Sequence, residues 1–449
     1  MTAAKTTGEI TEFVQAQPLF GAHAHIMPVP DWAKTKPHFS SIAGYALADL
    51  ASAAGPLPVG QETFLPATTD DPAYAKRYFE LWRASHFTGY TRPIELASRD
   101  LLGVEYIEKN AEEIGEAIGK LVGASPRASY CEILQKRANI RWLIKDNIHK
   151  PEQAADELYP PEFVRLNYRD DDLLCIRSRT DVARREGRWG RSLHSLADLV
   201  AGFNDSITAC LATNKVTSFK LGVAYQRGLA FTEPTLHEAE RAFTRLMRVT
   251  PGETIDPAPP FVAGSVRVQS RLSARKLRPL QDYLTHQYLR RIEAECLPLQ
   301  VHTGYLAGVR GVLNNIRAME MVPVFIRYPR VRFDLFHAGW PYVEEHAVLG
   351  KEFPNVWLNM CWMWAMNPVT AARALESWLA CVPHTKIFAY GGDTNSPICE
   401  YAYAQQARAG IARVLERIAR RGGMTAAGAK EVAADIMLHN GCRFHGLEA

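Results

Sequence analysis

Two histidines two positions apart, His23 and His25, lie in the stretch Pro18-Leu19-Phe20-Gly21-Ala22-His23-Ala24-His25-Ile26-Met27-Pro28. On an extended run, side chains alternate faces with a period of two, so both imidazoles point to the same side. That geometry suits one metal ion. The apolar residues before the pair read as a short buried strand, and Pro28 and Pro30 end it, placing both histidines at its C-terminal end. A His-x-His pair is short enough to arise by chance, so the reading depends on whether the rest of the chain supplies further ligands.

The elements that would position such ligands follow from about residue 125 onward. Short apolar runs alternate there with helical stretches, the pattern of parallel strands joined by crossover helices. Seven runs read as strands: Ile140 to Lys145, Phe163 to Leu166, Thr217 to Leu221, Pro298 to His302, Val331 to His337, Val356 to Met360 and Ile387 to Gly391. With the histidine strand they number eight, which closes a (β/α)8 TIM barrel, an α/β fold. One unit's length separates His302 from His337, and two compact units separate His337 from Asp393. From His25 to Lys220 the chain is much longer than three units. The excess is helical in pattern, as in Tyr74 to Arg83 and Ile107 to Leu121, and reads as an insertion over residues 31–125 with Gly55-Pro56-Leu57-Pro58-Val59-Gly60 as one of its loops. A second excess, residues 232–284, reads as a lid over the same mouth. The expectation is one barrel domain over residues 1–449 carrying both insertions.

At the C-terminal ends of these strands stand His23, His25, Lys220, His302, His337 and, after the last strand, Asp393. Barrel enzymes place their chemistry on that face, because the loops there vary freely. Three neutral imidazoles and a carboxylate satisfy zinc, and an open position for water marks a catalytic site.

This arrangement, with Val301-His302-Thr303-Gly304, Phe336-His337-Ala338-Gly339-Trp340-Pro341-Tyr342, Tyr390-Gly391-Gly392-Asp393-Thr394 and Phe219-Lys220-Leu221-Gly222-Val223-Ala224-Tyr225-Gln226-Arg227-Gly228-Leu229, resembles the amidohydrolase superfamily. More narrowly it is similar to the second amidohydrolase family, including nodulin-like members fused to glutamine synthetase. The tail Asn440-Gly441-Cys442-Arg443-Phe444-His445-Gly446-Leu447 also resembles that family's closing helix. The resemblance implies that His23, His25, His302 and Asp393 hold one divalent ion, usually zinc, with His337 beside it as a further ligand or as the group polarising a substrate carbonyl. It leaves Lys220 two roles: a carboxylated bridge to a second metal, or a partner for an anionic substrate group, which the nodulin-like motif favours. Zinc chemistry would activate water, Asp393 would take its proton, and His337 would stabilise the oxyanion.

Arg165 and Arg227 are cationic forks suited to a substrate carboxylate, or else arginines with structural partners. Asp146 could orient a ligand histidine or cap a helix. Tyr225, Trp340 and Trp362 are candidate pocket residues, although Trp and Met in Asn359-Met360-Cys361-Trp362-Met363-Trp364 also suit barrel packing. The leading expectation is hydrolysis of an amide C–N bond in a small anionic substrate. The same residues serve decarboxylation or uronate-type isomerisation, because loops decide the reaction class. A binding protein on a decayed barrel would have lost ligands, and none is missing.

Composition excludes other classes. With 47% hydrophobic and 22% charged residues and a net charge of +4, the chain is neither disordered nor a nucleic-acid binder. Its densest basic stretch, Arg267, Arg271, Arg275, Lys276 and Arg278, reads as a solvated helix face. The eight cysteines show no Cys-x-x-Cys spacing and read as reduced thiols. No targeting segment and no apolar run of the roughly 18 to 20 residues needed to cross a bilayer is present, which points to a cytoplasmic protein and leaves homo-oligomerisation open.

Overall fold

A computed structural model describes residues 3–57, 63–123, 125–248, 276–309 and 311–449. Eight strands run β1 (Leu19–Ala24), β2 (Ile140–Ile148), β3 (Val164–Tyr168), β4 (Val216–Leu221), β5 (Leu299–Val301), β6 (Phe333–Leu335), β7 (Val356–Asn359) and β8 (Ile387–Phe388). Each pairs in parallel with the next, in chain order. The ring closes where Ala22 N donates to Tyr390 O and Asp393 N donates to His23 O, both at 3.0 Å. This is the eight-stranded α/β barrel that the apolar runs predict. Strands buried on both faces read as near-continuous hydrophobic segments, which is why they are visible in the sequence.

Strand ends differ from the expectation in ways that matter for the site. β3 continues two residues past Leu166 to Tyr168, so the residue emerging at the mouth is Arg169. β8 is only two residues long, and Ala389 to Asp393 leave the ladder as a loop.

The lower end of the barrel is closed by Phe20, Ala22, Trp142, Ile144 and Phe388 packed with Leu438, Cys442 and Phe444 from the C-terminal segment. Above this apolar plug lies a polar layer: Asn167, Gln300, Asp334 and Asn359, each 0% exposed. Between β1 and β2 the described residues form helices and turns and no strand, including Ala46–Ala54, Pro72–Ser85, Thr91–Ala97 and Ala111–Val122. They pack on the barrel through the long helix Pro397–Arg420, where Tyr401 Oη donates to Asp100 Oδ2 at 3.1 Å. Residues 58–60 of the glycine- and proline-rich loop lie outside the described residues. So do residues 249–275 of the expected lid, with Arg267, Arg271 and Arg275. Its described parts are the helix Leu236–Met247 and the start of Arg278–Glu295. Among the described residues, no helix is long and apolar enough to cross a membrane.

Candidate metal centre

His23 sits near the end of β1 and His25 just beyond it, their rings 5.2 Å apart and edge to face. Asp393, on the loop after β8, brings Oδ1 to 3.5 Å from His23 Nε2 and 3.2 Å from His25 Nε2. The ligating atoms of these three residues lie within 4.8 Å of one another. His337, two residues past β6, places Nε2 at 3.7 Å from Asp393 Oδ2 and 3.1 Å from His302 Nδ1. His302 therefore joins the cluster through His337.

The tautomers follow from the partners. Gln300 Nε2 donates to Ala22 O at 2.7 Å and reaches Asp334 Oδ2 at 3.4 Å, both acceptor groups, so the amide can face only one way. Its Oε1 accepts from Asn167 Nδ2 at 3.0 Å and lies 3.2 Å from His23 Nδ1, which must donate. His23 Nε2 then carries a lone pair facing two carboxylates, Asp393 at 3.5 Å and Asp146 at 3.7 Å. His337 Nδ1 donates to Cys361 O at 2.9 Å, and His302 Nε2 donates to Tyr305 O at 3.1 Å. The two nitrogens that face each other across 3.1 Å are thus both bare. Asp393 Oδ1 is buried and accepts no well-aligned hydrogen bond among the described residues. His25 has one N–H to offer, to Asp146 at 3.4 Å or to Asp393 at 3.2 Å, whereas the bare nitrogens of His23 and His337 meet the Asp393 carboxylate without a proton between them, which is an arrangement that a cation resolves.

Protonation states agree. Burial, with Lys220 next, holds His23 well below the usual imidazole range, and burial with the neighbouring His337 does the same to His302. Burial brings His337 down to about 4. Burial works to raise Asp393, but the hydrogen bond and charge of His25, with His23 and His337, hold it below the usual carboxylate range. Neutral imidazoles and an ionised carboxylate are the ligand forms, and nitrogen with oxygen donors suits a divalent ion of the zinc type.

The support runs outward from Asp146, near the end of β2. Its Oδ2 lies 3.4 Å from His25 Nδ1 and accepts from Arg169 Nη1 at 2.5 Å. Arg169 Nε donates in turn to Asp171 Oδ2 at 2.6 Å, and Gly222 N donates to Asp171 Oδ1 at 2.8 Å. A Cβ at Gly222 would stand 2.1 Å from Arg169 Nη2, so only glycine leaves room for this guanidinium. The backbone is strained at the same rim: His337, Ala338, Trp362 and Asp393 have φ of 62°, 48°, 63° and 53°. Non-glycine residues held there cost on the order of 1 kcal/mol each and gather at functional sites.

The amidohydrolase family profile matches residues 154–447, more than half of the chain. The chain belongs to the amidohydrolase family. Protein fluG of Emericella nidulans is 27% identical over 251 residues, covering 55% of this chain but only 27% of that protein. Among solved structures, uronate isomerase from Thermotoga maritima matches with a TM-score of 0.74 at 12% identity, over 98% of this chain and 97% of that one. Glucuronate isomerase from Caulobacter crescentus matches with a TM-score of 0.72 at 16% identity, over 100% and 95%. At such identities the likeness is one of fold.

The residues expected to meet a substrate divide sharply in this amidohydrolase. Lys220, on β4, is 1% exposed and its Nζ lies 3.3 Å from the centroid of the Phe336 ring with no hydrogen-bond partner among the described residues. Burial lowers it to about 8. Tyr225 lies with its ring 4.5 Å from that of His302, and its Oη accepts from Ala307 N at 3.2 Å. Trp362 is buried against His337 at 5.3 Å and against Tyr45, from the helical insertion, at 4.6 Å. Trp340 packs on Tyr305 at 5.2 Å, and Tyr305 contacts Trp362 at 6.0 Å. Tyr45, Tyr305 and Trp340 continue the aromatic contacts from Trp362, and Trp362 and Tyr225 stand against the histidine cluster.

The two arginines do not. Arg165 donates back to Pro161 O at 2.5 Å and lies over Trp142 at 4.5 Å, against the apolar plug at the far end of the barrel. Arg227 is buried and spent on Asp282 Oδ1 at 2.5 Å and Ala230 O at 3.1 Å, which is the structural alternative for it. Reading the sequence missed Arg169 and Gln300. The period-two rule offered a signal for Gln300, which precedes His302 by two positions.

Proposed function

We propose that this amidohydrolase hydrolyses an amide C–N bond in a small carboxylate-bearing molecule, using a divalent ion of the zinc type. His23, His25 and Asp393 would hold the ion, with His302 and His337 on its flank. The observation that carries this reading is the convergence of the proton-free nitrogens of His23 and His337 on the shared Asp393 carboxylate, with the bare Nδ1 of His302 against His337, forced by the hydrogen bonds to Gln300, Cys361 O and Tyr305 O. Such an ion, when bound, polarises a carbonyl and acidifies water.

The chain's own groups do the rest. Among the described residues Asp393 is the only carboxylate touching both His25 and His337, and being ionised it can take the proton of an attacking water and return it to the leaving nitrogen. His337 has committed its N–H to Cys361 O, so it presents a base and not a donor. The oxyanion role expected of it would fall to the ion that His23, His25 and Asp393 would hold. With Arg165 and Arg227 engaged elsewhere and Arg169 held between Asp146 and Asp171, Lys220 is, among the described residues, the buried cation free to meet a substrate carboxylate. The wall of Trp362, Trp340, Tyr305 and Tyr45 keeps water from the acyl portion.

Uronate-type isomerisation stands as a second reading, because two isomerase folds match over 98% and 100% of the chain, the helical insertion included. A screen of purified, zinc-loaded protein against N-acyl amino acids, aromatic acids and uronates separates the classes. Amine release supports the proposal. Ketose formation from a uronate or carbon dioxide from an aromatic acid, without amine release, overturns it in favour of isomerase or decarboxylase.

A further inference from the structure

The turn that carries Asp393 contains two adjacent glycines, each pressed by a different neighbour. It leaves β8 as Ala389-Tyr390-Gly391-Gly392-Asp393, outside the strand ladder, and ends with Asp393 at a φ of 53°. A Cβ on Gly391 would stand 2.8 Å from Cys361 Sγ and 3.1 Å from His23 N, so this residue is packed against β1 and the loop after β7. A Cβ on Gly392 would stand 2.2 Å from Glu400 Oε2 and 2.5 Å from Glu400 Cδ, so a carboxyl group lies directly on its α-carbon. Gly392 does not have a left-handed φ, so Glu400 and not backbone strain is what demands glycine there.

Glu400 belongs to the first turn of the helix Pro397–Arg420 and is 0% exposed. Tyr390 Oη donates to its Oε1 at 2.7 Å, and its Oε2 has no partner among the described residues. The helix is fixed in turn: Arg408 donates to Val14 O at 2.9 Å and to Ala138 O at 3.0 Å, tying it to the segments that enter β1 and β2. Burial raises Glu400 to about 8, the Asp393 charge adding to it against the hydrogen bond from Tyr390, so the group is a neutral acid at pH 7. Burying a carboxyl with one oxygen unmet is costly, and the proposed chemistry makes no use of it.

We propose that Glu400 is the positioning residue for Asp393: seated on Gly392 and held by Tyr390, its carboxyl sets the shape of the turn and so aims Oδ1 at His23 and His25 and Oδ2 at His337. The inference rests on the metal-centre reading above and deepens it. Glu400 acts through the turn and not by contact with substrate. What the turn requires is a planar group of that size and an acceptor for Tyr390, not a charge.

Zinc dissociation constants by chelator competition on the whole chain, beside thermal unfolding of the metal-free chain, test this without an assay of activity. Glu400→Gln keeps the plane and the acceptor and should bind zinc as the native chain does. Glu400→Ala leaves the turn unsupported and should weaken binding about 10- to 100-fold, as losing a group that orients a ligand does. Gly392→Ala displaces the carboxyl and should weaken it by a similar factor. In the chain with both alanines the new methyl enters the space that the carboxyl leaves, so zinc should bind more tightly than to Gly392→Ala alone. Unchanged zinc affinity in Glu400→Ala, even with a lowered unfolding temperature, would reduce Glu400 to packing and overturn the proposal. A Glu400→Gln chain as weak as the alanine one, or losses that multiply in the double variant, would overturn it too. Glu400→Asp, whose carboxyl stops one methylene short of Gly392, replaces the alanine variant should that chain fail to fold by circular dichroism, with the same loss expected. Each of these failures leaves the metal centre standing, whereas a native chain that binds no zinc sinks both.

Discussion

Replacing Gln300 with leucine tests the idea that the barrel's inner layer dictates how the histidines present themselves. The leucine fills similar space but removes the acceptor for His23 Nδ1 and the donors to Ala22 O and Asp334. Two effects follow, and they are separable. The folded protein loses satisfied partners for buried groups, which costs about 1–3 kcal/mol for each one left bare. Metal affinity falls because His23 is freed to turn its N–H toward Asp393; loss of an outer-shell partner weakens binding by about 10- to 100-fold, or roughly 1.4–2.8 kcal/mol. Gln300→Glu is the contrasting change. Protonated in this buried setting, it still accepts from His23 through one oxygen and donates to Ala22 O through the other, so stability drops with little loss of affinity. Zinc dissociation constants by chelator competition, alongside thermal unfolding of the metal-free variants, measure the two separately. A folded Gln300→Leu protein that binds zinc as tightly as the native chain would refute the reasoning.

Three further outcomes are expected. Gly222→Ala places a methyl carbon against Arg169 Nη2 and Asp171 Oδ2, so it should dislodge the guanidinium from Asp146 and lower zinc affinity about 10-fold, as chelator competition would show. Arg227→Leu takes the nearest cation from the buried Asp282 carboxylate, leaving it Thr232 and, at 3.6 Å, Arg278, and should cost about 3 kcal/mol of stability in urea unfolding, whereas Lys220→Met should fold normally and raise KM for carboxylate substrates without that loss. His445 is brought down to about 3, chiefly by burial and then by Arg332, from an ordinary 6.5. Below pH 6.5 the unfolded chain takes up a proton that the folded one refuses, so stability is whole above that pH and is lost as the solution is acidified. From pH 7 to 5 this amounts to about 2 kcal/mol, and His445→Gln should shrink the pH dependence of urea unfolding by that much.

All eight strands were legible in the sequence because each is a short apolar run whose period differs from that of the flanking helices. His23, His25, Asp393 and His337 were legible for the same reason, since each stands where a run ends. What could not be read depends on long-range pairing. Arg227 looks like a free cation until Asp282, 55 residues away, is seen to hold it. Arg165 looked like a mouth residue because β3 was ended at Leu166, and two more residues of strand carry the mouth to Arg169. A boundary error of that size rotates the choice of arginine from one end of the barrel to the other. Cys361 was one of eight cysteines with no motif spacing, and only the fold brings it to Asp393.

The polar layer beneath the site explains why the histidines and carboxylates do not simply neutralise one another. Free imidazoles beside Asp393 and Asp146 would turn an N–H to each carboxylate and close the site as a set of neutral hydrogen bonds. Here each available N–H of His23, His337 and His302 is already taken by an acceptor that cannot be exchanged for a donor: the oriented Gln300 amide and two backbone carbonyls. Turning His23 would require Gln300 to flip, which would set its carbonyl oxygen against Ala22 O at the 2.7 Å now spanned by a hydrogen bond. The layer is costly, and Asp334, with one oxygen unpartnered and burial raising it to about 7, shows where that cost is concentrated. Its effect is that the free energy of cation binding is not spent on breaking internal contacts first, which is what preorganisation means at a metal centre.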